Sequence, residues 1–285
     1  MFKKIGLFVC LTVFYSLLFN YDVALSKMLY DENNQVESAK NKLINEPKLD
    51  ESEKNKGSIK IKFANTSGNK MKIGIKKDSN NYYYNFKGNA NYESFPLQSG
   101  SGKYKVTLFE NTRETKYKSI KSWTINVKLK DENSVYLNSI KLVNWKNTTT
   151  TVSKAKQLTN GLKNDEDKAK AIYDYIVSNI KYDSNKAKNV KNGYVPNIDS
   201  VIDSKLGICY DFASTYAGML RSIGIPAKLV MGNSSNVKGY HAWNEVFING
   251  RWVIVDTSYD SQAKEANVKV SMCKSSVSYK KIKQY

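Results

Sequence analysis

The sequence predicts an α+β protein: an N-terminal antiparallel β-sandwich followed by a core in which a cysteine-bearing helix packs on an antiparallel sheet. Three observations carry this. Short runs of alternating apolar and polar residues cluster between about Ser58 and Asn138. Phe212, Tyr216, Met219, Leu220 and Ile223 recur at the spacing of one buried helical face. Asn249-Gly250, the strongest short-range signal for a two-residue hairpin turn, lies between two apolar runs.

The 285 residues suffice for one large or two ordinary domains. Lys3 and Lys4, an apolar run from Ile5 to Phe19, and the small-x-small triplet Ala24-Leu25-Ser26 mark residues 1–26 as a secretory signal peptide. An uncleaved anchor is the rival, but the run is short for a span and is broken by Thr12, Ser16 and Asn20. Cleavage leaves a chain with no transmembrane segment, secreted or associated with the cell surface. Residues 27–56 are polar and read as a flexible linker, with a helical turn near Val36 to Ile44.

Residues 57–142 make up the sandwich. Ile59-Lys60-Ile61-Lys62-Phe63, Met71-Lys72-Ile73-Gly74-Ile75, Tyr104 to Phe109 and Trp123 to Leu129 alternate with lysine on the wet face. Turn clusters separate them at Asn65-Thr66-Ser67-Gly68, Asp78-Ser79-Asn80 and Ser99-Gly100-Ser101-Gly102. Tyr82-Tyr83-Tyr84-Asn85-Phe86 has two readings: an aromatic face that stacks on glycans, or a strand with one set of tyrosines in the core. The second is favoured, because tyrosine is a preferred strand residue.

Residues 154–285 form the cysteine domain, entered through a Thr-rich connector from Asn147 to Ser153. Asn164 ahead of Asp165-Glu166-Asp167 caps a helix whose buried face is Ile172, Tyr173, Ile176, Val177 and Ile180. The loop from Tyr182 to Pro196 is a candidate wall for a substrate site. Cys209 then opens a helix that stops at Gly224, with Pro226 beyond. Free N–H groups and the helix dipole at that position favour a thiolate.

Across a two-residue turn Ile248 faces Arg251, Trp243 faces Asp256 and His241 faces Ser258. His241 and Asp256 therefore share a face of the hairpin within side-chain reach. Trp243, Phe247 and Trp252 lie on that face, to pack beside the site or to line an acyl groove, with packing favoured for at least two of them. Glu245 is there too, but about 13 Å along the strand from His241, too far to orient it. Asp211 points away from Cys209, as a cap or surface residue.

Cys209, His241 and Asp256 are thus the candidate catalytic residues: a nucleophile, an imidazole to hold its proton, and a carboxylate to orient the imidazole. His241 is the only histidine in the chain. The segments GICYDFASTYAGMLRSIGIPAKLVMG (207–232) and GYHAWNEVFINGRWVIVDTSYD (239–260), in this order, resemble the transglutaminase-like superfamily. The resemblance covers roughly Asp165 to Asp260. It implies a papain-like Cys-His-Asp site in a secreted bacterial member, with Cys209 as nucleophile, His241 as general base and acid, and Asp256 as orienting carboxylate. The implied activity is acyl transfer or hydrolysis on protein or peptide amides, glutamine included, through a thioester: cross-linking, deamidation or proteolysis. The Cys209 backbone N–H is expected to be one oxyanion donor; no second donor is assigned.

No cofactor or metal is expected, since one histidine and two mature cysteines do not supply a ligand set. A Cys209–Cys273 disulfide would consume the nucleophile, and Cys273, in a Ser-rich tail, reads as incidental. The net charge of +19 comes from lysine; only Arg113, Arg221 and Arg251 are arginine. No nucleic-acid motif accompanies it, so specific nucleic-acid binding is not expected; a diffuse lysine surface fits loose attachment to an anionic cell-envelope polymer. The rival to an enzyme is a non-catalytic envelope-binding protein that keeps the fold as a scaffold.

Overall fold

The computed structural model describes residues 27–35, 46–146 and 148–285. The proposed signal peptide and the helical turn near Val36 to Ile44 lie outside the described residues. The chain divides into two compact units, Met1–Pro47 and Lys48–Tyr285. In the first, residues 27–35 form helix α1 with its side chains exposed. Among the described residues no helix is long and apolar enough to cross a membrane.

The larger unit opens with a two-layer sandwich. One sheet holds β1 (Lys48–Asp50), β2 (Ser58–Lys62) and β5 (Glu93–Pro96); the other holds β3 (Met71–Lys77), β4 (Asn80–Phe86), β6 (Gly102–Arg113) and β7 (Lys116–Val127) in the order β4-β3-β6-β7. The residues that alternation marks as inward are the buried ones: Ile59 and Ile61 on one sheet, Ile73, Ile75, Val106 and Leu108 on the other. Tyr84 and Phe86 reach across to Phe95, with centroids 5.6 and 6.2 Å away. Strand β1 falls inside the stretch read as linker. Leu49 pairs with Ile61 and packs on the core, so ordered structure begins before residue 57.

Helix α2 (Thr150–Thr159) begins inside the segment expected to be a connector. Threonine is a weak helix former, but here the cap comes from a distant element. The Asp199 carboxylate accepts from the Thr149 and Thr151 amides and from the Thr151 hydroxyl at 3.0, 2.8 and 2.6 Å. Helix α3 (Asp165–Asn179) follows, capped as expected by the Asn164 side chain on the Asp167 amide at 2.8 Å. Ile172 and Ile176 are fully buried. The chain continues through β8 (Lys181–Tyr182), α4 (Ser184–Asn189), α5 (Ile198–Ser204) and β9 (Leu206–Gly207), then α6 (Cys209–Ser222).

Helix α6 packs on a five-stranded antiparallel sheet ordered β13-β12-β11-β10-β14, formed by β10 (Ala227–Ser234), β11 (Val237–Ile248), β12 (Arg251–Val255), β13 (Cys273–Lys274) and β14 (Tyr279–Gln284). Asn244 fastens helix to sheet, donating to Ala213 O of α6 at 2.9 Å and Lys228 O of β10 at 3.0 Å. The Ser-rich tail that holds Cys273 supplies both edge strands of this sheet. Arg221 locks the assembly from inside. It is buried, and its guanidinium donates to the carbonyls of Asn138, Ala227 and Tyr285, each at 2.8 Å. The α+β architecture expected from the sequence is the one found.

Candidate active site

Residue Cys209 is the first residue of α6, and extended backbone at Ile208 leads into it. A side-chain carbon on Gly207 would come within 2.8 Å of the Asp211 side chain, so only glycine fits before the helix. Asp211 turns back to accept from the Ile208 amide at 2.9 Å, the N-terminal satisfaction that a helix start requires. It is a cap, as one of its two expected roles had it, but not a surface residue. It is fully buried and also accepts from Lys186 Nζ at 2.6 Å and the Tyr194 hydroxyl at 2.5 Å. These bonds tie the 182–196 loop to the helix start and set Tyr194 edge-on to Tyr210, with centroids 6.2 Å apart.

The hairpin has the predicted two-residue register: Ile248 pairs with Arg251 and Asn244 with Val255. Its continuation sets His241 and Asp256 together, with Nε2 2.7 Å from Asp256 Oδ2. The expected pairing of His241 with Ser258 does not occur. The chain leaves the sheet at Asp256, whose side chain caps α7 (Thr257–Glu265) by accepting from the Tyr259 amide at 3.1 Å. Ser258 serves the site differently, donating to Asp256 Oδ1 at 3.1 Å. Tyr279 of β14 donates to Oδ2 at 3.0 Å. Four donors therefore fix a carboxylate with no solvent exposure.

With Nε2 committed to Asp256, Nδ1 is the ring nitrogen left for the Cys209 thiol, which is within hydrogen-bonding reach. Burial of the ring disfavours its charge, but the Asp256 carboxylate and Cys209 outweigh that and raise His241 from 6.5 to about 9. The imidazole is buried, whereas Cys209 is only partly buried, so Cys209 is the member of the set open to a large substrate. All three candidate residues are brought together. Cys273 is also free, and it lies in the edge strand β13 opposite Val255.

The family model of the transglutaminase-like superfamily matches residues 152–257, a span that holds Cys209, His241 and Asp256. This part of the chain is a transglutaminase-like domain. No curated protein matches the sequence. Among solved structures the chain is similar to a candidate cysteine protease from Cytophaga hutchinsonii, at 24% identity and TM-score 0.37 over 43% of this chain and 40% of that one. It is also similar to the periplasmic domain of TgpA from Pseudomonas aeruginosa, at 13% identity and TM-score 0.36 over 73% and 71% of the two chains. For red sea bream transglutaminase the values are 12% and 0.28 over 75% and 48%. The match spans less than half of the Cytophaga chain.

Several residues around the site are not marked by local sequence pattern. Tyr182 sits beside the nucleophile because β8 pairs in parallel with β9, Tyr182 opposite Gly207. Its hydroxyl is within reach of the Cys209 backbone N–H, and burial followed by the Cys209 side chain raises its pKa. Tyr279 and Ser258 hold Asp256 from a strand and a helix that local pattern did not reveal. Glu245, set aside as an orienter, instead pairs with Lys228 and Lys281, each at 2.9 Å. Trp243 is buried against Tyr279, and Phe247 packs on Trp252, so these aromatics serve as packing. Among the described residues no group of three His, Cys, Asp or Glu side chains could hold a metal ion.

Proposed function

We propose that this protein is a cysteine-dependent acyl transferase or hydrolase acting on protein or peptide amides, exported and working at the cell surface. The observation that carries the reading is one linked set: a partly buried cysteine at a helix N-terminus, an imidazole raised to about 9, and a buried carboxylate held by four donors. At neutral pH the ring is an imidazolium, and the Cys209 sulfur beside it reacts in its thiolate form. The thiolate attacks the amide carbonyl carbon. His241 gives its proton to the departing amine or ammonia, and a thioester on Cys209 remains. The now neutral ring takes a proton from water or a primary amine as that nucleophile attacks. Hydrolysis or cross-linking follows according to which arrives.

The oxyanion formed at each step needs two donors. Cys209 N–H is one, and the Tyr182 hydroxyl, beside it, is the second. Tyr182→Phe is expected to lower kcat about 10²-fold, the usual loss for one such donor, with the iodoacetamide labelling rate of Cys209 unchanged. An equal fall in both would place Tyr182 in packing instead.

The function is tested by mass spectrometry of wild-type and Cys209→Ala protein incubated with glutamine-containing peptides and excess primary amine. Amine adducts, deamidated or cleaved peptides with wild type alone are the expected result. Identical spectra for the two proteins against a broad library would favour a non-catalytic binding protein. Export is tested separately, by whether the N-terminus of the protein recovered from the producing cell's exterior falls near residue 27.

A further inference from the structure

The outer face of the four-stranded sheet has a composition that the packing of the sandwich does not explain. Its inward residues are apolar, as a sandwich demands. Its outward rows carry Tyr83, Phe109 and Tyr117 among Lys72, Lys76 and Lys105, and the remaining paired positions in those rows are Asn, Ser, Thr and one glycine. No carboxylate stands in them. Tyr83 is 59% exposed although its neighbour Tyr84 is buried in the core. The glycine, Gly74, lies between the rings. A side-chain carbon there would come within 2.8 Å of Phe109 and 3.1 Å of Tyr83. Its absence lets both rings lie down on the sheet, with centroids 6.2 Å apart and planes tilted by 53°. Lys72 extends over Tyr117, its Nζ 4.4 Å from the ring centroid.

We propose that this face binds an acidic polysaccharide. Aromatic rings laid flat on a sheet present π-faces to the C–H side of pyranose rings, and the surrounding amides and hydroxyls match sugar hydroxyls. Successive sugars in a chain are rotated against one another, which two tilted rings accommodate. Lysines with no carboxylate among them complement an anionic polymer. At one end of this face Tyr83 and Asn85 line a cleft of about 160 Å³ together with Tyr194 and Tyr210. The binding proposed here does not depend on the proposed function.

The test is affinity electrophoresis of the full chain in gels containing polygalacturonate, a linear acidic polysaccharide. Tyr83→Ala/Phe109→Ala keeps every lysine, so any loss isolates the rings from bulk charge. Binding is expected to weaken at least about tenfold. Lys72→Gln/Lys105→Gln should weaken it as well, and uncharged hydroxyethylcellulose should retard the protein less. If removing Phe109 disturbs folding, judged by circular dichroism, Tyr83→Ala alone decides. Unchanged retardation of the aromatic variant would overturn the proposal, leaving only diffuse charge. So would equal or tighter binding of a single-stranded oligonucleotide or of anionic vesicles that is lost in the same variant. Because polymer binding is read without turnover, it can fail while Cys209 is active, or succeed in Cys209→Ala.

Discussion

Asp256→Asn is expected to slow acyl transfer about 10⁴-fold and to leave the fold intact. The reason lies in the four donors around the carboxylate. The Ser258 hydroxyl and the Tyr259 amide claim Oδ1. An asparagine in this place keeps its oxygen there and turns its NH₂ toward Tyr279 and His241 Nε2. An N–H facing Nε2 makes that nitrogen an acceptor, so the ring's proton moves to Nδ1, the side facing Cys209. The imidazole can then neither take the thiol proton nor carry a charge opposed by a carboxylate. Amine-incorporation kinetics measure the loss, and a fall of less than tenfold would contradict the assigned role.

The same substitution should be visible in stability. His241 is raised from 6.5 to about 9 in the folded protein, so the fold binds this proton more tightly than the unfolded chain does. The resulting stabilisation is fully present below about 6.5 and is lost as the pH climbs through about 9. Urea midpoints of the wild type should therefore fall across that window. In Asp256→Asn the slope should flatten.

The largest structural effect is expected at Arg221. Its guanidinium reaches the carbonyls of Asn138, Ala227 and Tyr285, which belong to three separate parts of the chain. Arg221→Met fills much of the space but supplies no donor. Each buried carbonyl left unpaired costs about 1–3 kcal/mol, offset in part by no longer burying a charge, so a net loss of about 3–5 kcal/mol is expected. Tyr285 also accepts from Leu229 N at 3.0 Å, which keeps the figure below the full sum. Urea unfolding followed by tryptophan fluorescence would show a lower midpoint with an unchanged slope. A change below about 1 kcal/mol would mean that water or neighbouring amides take over these carbonyls.

What the sequence disclosed was local. The α6 period, the Asn249-Gly250 turn and the Asn164 cap depend on residues within a few positions of each other, and each fixes geometry without reference to the rest of the chain. The turn alone determines that His241 and Asp256 share a face, since a one-residue slip would part them. What stayed hidden depends on distant partners. The Thr-rich start of α2 is helical because Asp199, nearly 50 residues later, caps it. Strand β14 is rich in lysine, and it is held in place by pairing to β10 and by the Tyr279 bond to Asp256. Tyr182 is placed by a parallel pairing of only two residues, too short to leave any periodic trace. The burial of Asp211 follows from Lys186 and Tyr194 folding over it, which no spacing within α6 could reveal.

His241, Cys209 and Asp256 form one linked set, with the imidazole and the carboxylate buried. Because His241 is the only histidine in the chain, its imidazole gives a single set of carbon-bound proton resonances in an isotope-edited NMR spectrum. The most direct measurement is the titration of those resonances from pH 5 to 10 in the wild type, in Asp256→Asn and after Cys209 is alkylated. The expected wild-type midpoint is near 9, with a clear downward shift when either partner is altered. A midpoint near 6.5 that neither change moves would show an isolated histidine and rule out the linked set.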